Sequence, residues 1–385
     1  MRRYLLSLVS ERTRPTGVGT YALEVARAIG PLLGADERLV VARHRDFPAC
    51  DQAGVDEVAL AFPAGRTAWR RAAEQTLLPA VALRARATLV HAFNYALPAA
   101  WTGPAVLSLM EDRAYRERAA GGPLDRALAR AFRRCARRAT GLSAISAHGA
   151  RRCAESFGVD AARIVIAPPG VDHAAFAAFT AVEDARRAAV RARLGLGDRP
   201  VALFVGEVEP HKNVPRLIDA FAAVAARDPA PVLVIAGGRG ADLPAARTRA
   251  APLGERVRWP GYLPRADLLA LIAAASVVAL PSLDEGFGMP VLEGFAAGVP
   301  VLASTAGALP ETAGDAALLV DPTDGAAIAA GLERLLRDED LRAALVDRGR
   351  ARAAEFTWSR AAARILDLYR QVADCVPVAP RERRR

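Results

Sequence analysis

The chain has 385 residues, enough for two cores, and at 52% hydrophobic with a mean hydropathy of +0.13 it is globular rather than disordered. Its formal charge of +10 is lopsided: residues 1–190 hold 27 arginines against 18 acidic residues, and residues 191–385 hold 25 basic against 24 acidic. The basic first half would draw an anionic partner. Nucleic acid is excluded by the lack of any motif or aromatic-basic interleaving, a disulfide framework by four scattered cysteines that fit a reducing cytosol, and a membrane span by the lack of ~20 consecutive apolar residues.

Along the chain, short apolar runs alternate with helical patterns. Tyr4–Val9 reads as a strand, too short for a signal peptide and followed closely by Glu11. After it come Gly17 and Gly19, then a helix at 21–29. Strands are expected at 38–42, 88–91, 105–109, 141–145 and 164–167, with a helix at 124–138. The charged, Ala-rich stretch 181–197 reads as a linker. A second series follows, with strands at 201–205, 232–236, 257–259, 277–280, 301–303 and 317–320, and helices at 214–226, 265–274 and 326–337. The apolar spacing of Trp358–Val372 predicts a helix crossing back to the first domain. The expected organisation is therefore 1–180, linker 181–197, 198–357, helix 358–375, and an Arg-rich tail at 376–385. Such alternation, repeated in two blocks, predicts an α/β chain of two doubly wound, Rossmann-like domains. These sheets bind ligands beyond the carboxyl ends of their strands.

Of the 52 basic side chains only Lys212 is a lysine. A compact ammonium and a planar guanidinium are not interchangeable, so position 212 is read as a pocket that takes the former, against a phosphate oxygen. The strongest pattern is Ser282-Leu283-Asp284-Glu285-Gly286-Phe287-Gly288-Met289-Pro290-Val291-Leu292-Glu293, after the strand at 277–280. Gly286 and Gly288 allow a tight loop. Pro290 suits a first helical turn and Gly298 its end. A helix start presents N–H groups and a positive dipole end to a diphosphate. Glu285 on the loop and Glu293 in the helix, seven residues between them, suit two different hydroxylated rings.

These residues resemble the Glu-x7-Glu motif of retaining family 4 glycosyltransferases. Gly206-Glu207-Val208-Glu209-Pro210-His211-Lys212-Asn213 resembles that family's Gly…Lys-Asn segment. Gly261-Tyr262-Leu263-Pro264, Ala308-Leu309-Pro310-Glu311-Thr312 and Ala317-Leu318-Leu319-Val320-Asp321-Pro322 resemble its downstream patterns, and Gly17 and Gly19 its first glycine loop. The resemblance runs roughly from residue 4 to 375. It implies a GT-B fold, two domains facing across a cleft, and transfer of a hexose from a nucleotide-sugar with retention. GDP-mannose is the first choice of donor, and a glycan, a lipid-linked compound or a small molecule the acceptor. Lys212 would hold the donor diphosphate, Glu285 the sugar hydroxyls and Glu293 the ribose. Gly206, Glu207, Tyr262, Leu263, Gly286, Phe287, Gly288, Met289, Pro290 and Val291 would line the donor, with Gly17 and Gly19 closing the cleft. No cofactor and no metal are expected.

The chain departs from the family twice. Where the family has His-Asp after the strand at 105–109, this chain has Glu111-Asp112, kept as catalytic candidates; and the arginine common after the first glycine of the Gly…Lys-Asn segment is Glu207. These departures motivate an alternative, a degenerate sugar-nucleotide-binding or partner protein. Ser146 and Asp172 read as turn caps, and His91 and His148 as structural; His91 also stands as a candidate lining the acceptor cleft, beside Asn94 and Tyr95. The basic helix at 124–138 reads first as a solvated surface face. Peripheral contact with an anionic membrane at the cytoplasmic side is the competing reading.

Overall fold

A computed structural model describes residues 1–13, 15–93, 96–177 and 181–375. The chain forms two units, Met1–Gly170 with Trp358–Arg385, and Val171–Thr357. The tail at 376–385 and the residues Asn94 and Tyr95 lie outside the described residues.

The first unit is a seven-stranded parallel sheet. Its strands are β1 (Arg2–Leu8), β2 (Glu37–His44), β3 (Val55–Leu60), β4 (Leu89–Ala92), β5 (Ala105–Leu109), β6 (Gly141–Ala144) and β7 (Ile164–Ile166). Their order, β3-β2-β1-β4-β5-β6-β7, reverses direction between β1 and β4. The inner strands are apolar and buried, as a sheet covered on both faces requires. β3 was not expected from the sequence; at the edge, with Asp56 and Glu57 in it, it is only half-buried.

The closing helix Trp358–Asp374 belongs to this first unit. It buries Ile365, Leu366, Tyr369 and Val372, and a buried polar chain ties it to the sheet. His91 Nδ1 and the Tyr369 hydroxyl lie 2.6 Å apart, His91 Nε2 meets Ser108 Oγ at 2.8 Å, and Ser108 Oγ meets Ser143 Oγ at 2.7 Å. His91 is thus a core residue. Burial pulls its pKa down to about 3, so the imidazole is neutral. On the helix Pro123–Arg138, five of the six arginines donate to backbone carbonyls: Arg126 to Gly121, Arg130 to Arg126, Arg133 to Phe157, Arg137 to Gly158 and Arg138 to Pro98.

The second unit is a six-stranded parallel sheet of β8 (Val201–Val205), β9 (Val232–Ala236), β10 (Val257–Arg258), β11 (Val277–Leu280), β12 (Val301–Ser304) and β13 (Leu318–Val320). The order β10-β9-β8-β11-β12-β13 repeats the plan of the first sheet, with its switch point between β8 and β11. The stretch 181–197, read as a linker, is largely the helix Ala181–Arg193 and belongs to this unit. Arg193 pairs with Asp267 at 2.8 Å, Arg191 donates to the Ala274 carbonyl, and Val190 is buried. The division between the units falls at Gly170, ten residues earlier than the sequence suggests.

Candidate active site

In an open parallel sheet the crevice lies where the strand order reverses, outside the carboxyl ends. In the second unit the loops leaving β8 and β11 meet there. β8 runs through Gly206 into a single 3-10 turn, Pro210–Lys212, and Asn213 then takes a left-handed conformation at φ 61° before the helix Val214–Arg227. The buried Asn213 amide donates to the carbonyls of Pro281 and Pro322 at 2.9 and 2.7 Å, which pins the turn to the loops after β11 and β13. Leu283 N–H donates to the His211 carbonyl at 2.7 Å.

This seam puts Lys212 Nζ 2.6 Å from Glu285 Oε1. Ser282 Oγ donates to the same oxygen at 2.8 Å. The pair is mostly withdrawn from water, the lysine side chain 19% exposed and the glutamate 9%. Two residues assigned separate roles from sequence therefore share one hydrogen bond. The contact ties the turn after β8 to the loop after β11.

The helix Met289–Ala296 starts shortly after Glu285 in the chain, with Pro290 in its first turn. Gly288 precedes it at φ 96°, and a Cβ there would stand 2.4 Å from Leu309 Cδ2, so only glycine suits the position. The Phe287 carbonyl accepts from Thr312 Oγ1 at 2.6 Å, which fixes the loop from below. The side chains of Phe287 and Val291 point into the core. Whatever these two offer a ligand comes from their backbone. Glu293 is buried, and its carboxylate meets Arg265 at 2.5 Å. Arg265 opens the helix Arg265–Ala273, just past Gly261, the exposed Tyr262 and the half-buried Leu263.

Sequence reasoning missed Arg265, and also Arg239, whose guanidinium lies 3.1 Å from Glu207. Neither stands in a motif. Only the topology brings them in: the strand order β10-β9-β8-β11 sets the segments after those strands along one end of the sheet, with Arg239 after β9 and Arg265 after β10.

Four candidates, Gly17, Gly19, Glu111 and Asp112, belong to the first unit. Gly17 and Gly19 form the first turn of the helix Gly17–Ile29 rather than a free loop, with Gly19 packed against Glu11 and Phe47. Glu111 is bonded to Arg113. Asp112 is buried and accepts from Arg116, Arg152 and Ser156 at 2.9, 3.0 and 2.8 Å. That makes it a tie between the loop after β5 and the helix Ala147–Phe157. Ser146 caps that helix through Gly149 N–H, and Asp172 accepts from Ala175 N–H, so both are caps. Among the described residues, no cluster of His, Cys, Asp or Glu is arranged to hold a metal ion, and no helix is long and apolar enough to cross a membrane.

Comparison with known proteins covers both units. The family model described as "Glycosyl transferases group 1" matches residues 186–352, and that described as "Glycosyltransferase Family 4" matches residues 15–175. A D-inositol 3-phosphate glycosyltransferase of Salinispora arenicola is 39% identical over 228 residues, 56% of this chain and 51% of that protein. An O-antigen chain mannosyltransferase B of Escherichia coli is 37% identical over 176 residues, 44% of this chain and 45% of that protein. The chain thus spans about half the length of the curated relatives it matches. The solved structure of a sucrose-phosphate synthase from Thermosynechococcus elongatus has a TM-score of 0.76 at 21% identity, covering 98% of this chain and 100% of its own. With both sheets matched in sequence and the fold matched end to end, the chain belongs to the group 1, family 4 glycosyltransferases of GT-B fold.

Proposed function

We propose that this chain moves a hexose from a nucleotide-sugar donor to an acceptor hydroxyl, with retention of anomeric configuration. One observation carries the reading: the only lysine of the chain is bonded at the switch point to Glu285, on the loop that leads through Gly288 into the helix Met289–Ala296. In this reading the donor diphosphate lies against Lys212 and the first-turn N–H groups of Met289–Ala296. As the sugar–phosphate bond breaks, charge builds on the leaving phosphate. The ammonium and the helix dipole are already aimed at that charge, and such preorganisation lowers the barrier. Glu285 then turns from Lys212 to the sugar hydroxyls, and Glu293 holds the ribose while Arg265 fixes its carboxylate. The lysine and the helix start do the work a metal would do, so no metal is required.

The donor we assign first is GDP-mannose. Its support is the segments Ala308–Thr312 and Ala317–Pro322 and the likeness to a protein named as a mannosyltransferase. A glycan, lipid-linked or small-molecule hydroxyl is the acceptor. We put the reaction in the cytosol, the compartment that suits four scattered cysteines with no paired framework. The helix Pro123–Arg138 spends most of its arginines on carbonyls of its own fold, which favours the solvated surface face over a membrane contact.

A thermal-shift panel of GDP-, UDP- and dTDP-sugars tests the donor, with GDP-mannose expected to give the largest shift. Donor hydrolysis by the purified chain without acceptor tests turnover. Binding with no hydrolysis and no transfer would favour the degenerate, non-catalytic alternative that Glu111 and Glu207 suggest.

A further inference from the structure

The loops leaving β8 and β9 are locked backbone to backbone. Val208 N–H donates to the Arg239 carbonyl at 2.6 Å and Gly206 N–H to the Ala236 carbonyl at 3.1 Å. A Cβ on Gly237 would stand 1.8 Å from the Gly206 carbonyl oxygen, so the approach requires glycine there. Across this seam Arg239 meets Glu207 at 3.1 Å, with the two side chains 60% and 38% exposed. Glu207 directly follows Gly206, on the segment that ends at Lys212.

A nucleoside diphosphate brings two or more negative charges. On this edge of the sheet the nearby cations are already committed. Lys212 is neutralised by Glu285 and Arg265 by Glu293. Arg216 donates to Asn213 Oδ1 and the Pro322 carbonyl. The helix start contributes only about half a unit charge. Arg239 differs from these in how it is held: its partner is a solvent-exposed carboxylate, and exposed pairs of this kind are weak and easily exchanged. A phosphate offers the guanidinium more charge and a matching two-pronged geometry.

We propose that Arg239 is the second cation of the donor diphosphate site, and that Glu207 is its resident counter-ion, displaced when phosphate arrives. This rests on the donor-binding reading above. The cation missing at position 207 is then supplied by the neighbouring strand's loop, and Glu207 serves to hold Arg239 at the seam rather than to bind the donor.

The test is titration calorimetry on the full chain with GDP, UDP and GMP. Arg239→Gln is expected to weaken the tighter diphosphate by about tenfold or more, the scale of a lost hydrogen bond to a charged group. It should weaken GMP much less, a difference that a merely structural role would not produce. Glu207→Gln is expected to tighten the diphosphate several-fold, since phosphate no longer has a rival. Arg239→Lys should recover part of the loss. An unchanged diphosphate affinity in Arg239→Gln, equal losses for GDP and GMP, or weaker binding in Glu207→Gln would each overturn the proposal. If the wild-type chain binds neither GDP nor UDP, the donor-binding reading itself fails, and this one falls with it.

Discussion

Replacing Glu74 by glutamine should stabilise the first unit, by an amount that grows with pH. Glu74 sits in the helix Thr67–Arg84 and is 1% exposed, and its Oε1 has no hydrogen-bond partner. Burial first, and the neighbouring charge of Glu11 second, push its pKa from the ordinary 4.5 up to about 8. The native state therefore holds this proton more tightly than the unfolded chain does. The group's contribution is fully present below pH 4.5 and is lost as pH rises through 8. At pH 7.5 the unfolded carboxyl has given up its proton and the native one has largely kept it. Three pH units at about 1.4 kcal/mol each place the cost near 4 kcal/mol. At pH 5 it is below about 1 kcal/mol by the same arithmetic. Glutamine keeps the shape and removes the titration.

The assay is urea unfolding of both proteins at several pH values, followed by tryptophan fluorescence. Trp69, Trp101 and Trp358 report on the first unit. The wild-type curve alone is a poor witness, because His91 works in the opposite sense. With its pKa lowered to about 3, its contribution is full above 6.5 and is lost as pH falls. Between pH 4.5 and 6.5 the two slopes offset each other. The difference between variant and wild type isolates Glu74 and should rise by about 1.4 kcal/mol per pH unit up to pH 7.5. A difference that stays flat with pH would show that Glu74 is not held protonated and would refute the reasoning.

Lys212→Ala and Glu285→Ala should each cut steady-state turnover about a hundredfold or more while the far-UV circular dichroism stays native, since in the proposed mechanism each removes a charged hydrogen bond to the leaving phosphate or the sugar; normal rates would remove that residue from the mechanism. Gly288→Ala should lower stability by about 1–3 kcal/mol from its positive φ and its contact with Leu309, and should weaken nucleotide binding because the helix start shifts; thermal unfolding with and without GDP reads both. Tyr369→Phe should cost about 1–3 kcal/mol by leaving His91 Nδ1 without its partner in a buried site, and hydrogen exchange should quicken first in the helix Trp358–Asp374.

Most of the fold was legible because a parallel sheet covered on both faces writes its strands as unbroken apolar runs. Val201–Val205, Val232–Ala236 and Val277–Leu280 are such runs, and their limits in the structure match those read from sequence. β3 hid because an edge strand carries Asp56 and Glu57 without penalty. The helix Thr67–Arg84 hid behind Pro79, which reads as a break but lies inside it. The false linker at 181–197 has a related cause. Its arginines look solvated in sequence, yet Arg191 and Arg193 reach across to the helix Arg265–Ala273 and its end. A long charged side chain does not declare whether its head faces water or a carbonyl.

The site divides along the same line. Residues whose role depends on their own backbone, such as Gly288 and Pro290, could be read from local spacing, because a tight loop leading into a helix admits few alternatives. Residues whose role depends on a partner could not. Nothing in the sequence near Glu293 announces Arg265, and nothing near Glu207 announces Arg239. Those partners are chosen by strand order, which sets the segments after β10, β9, β8 and β11 along one end of the sheet although they are far apart in the chain. The consequence is physical as well as practical. Lys212, Arg239 and Arg265 each carry a carboxylate partner, so this edge of the sheet neutralises itself. A ligand that binds there must exchange ion pairs rather than fill a bare positive pocket. Its affinity then depends on how readily Glu207 and Glu285 let go, and the half-exposed Glu207 should let go before the nearly buried Glu285, while Glu293 stays with Arg265.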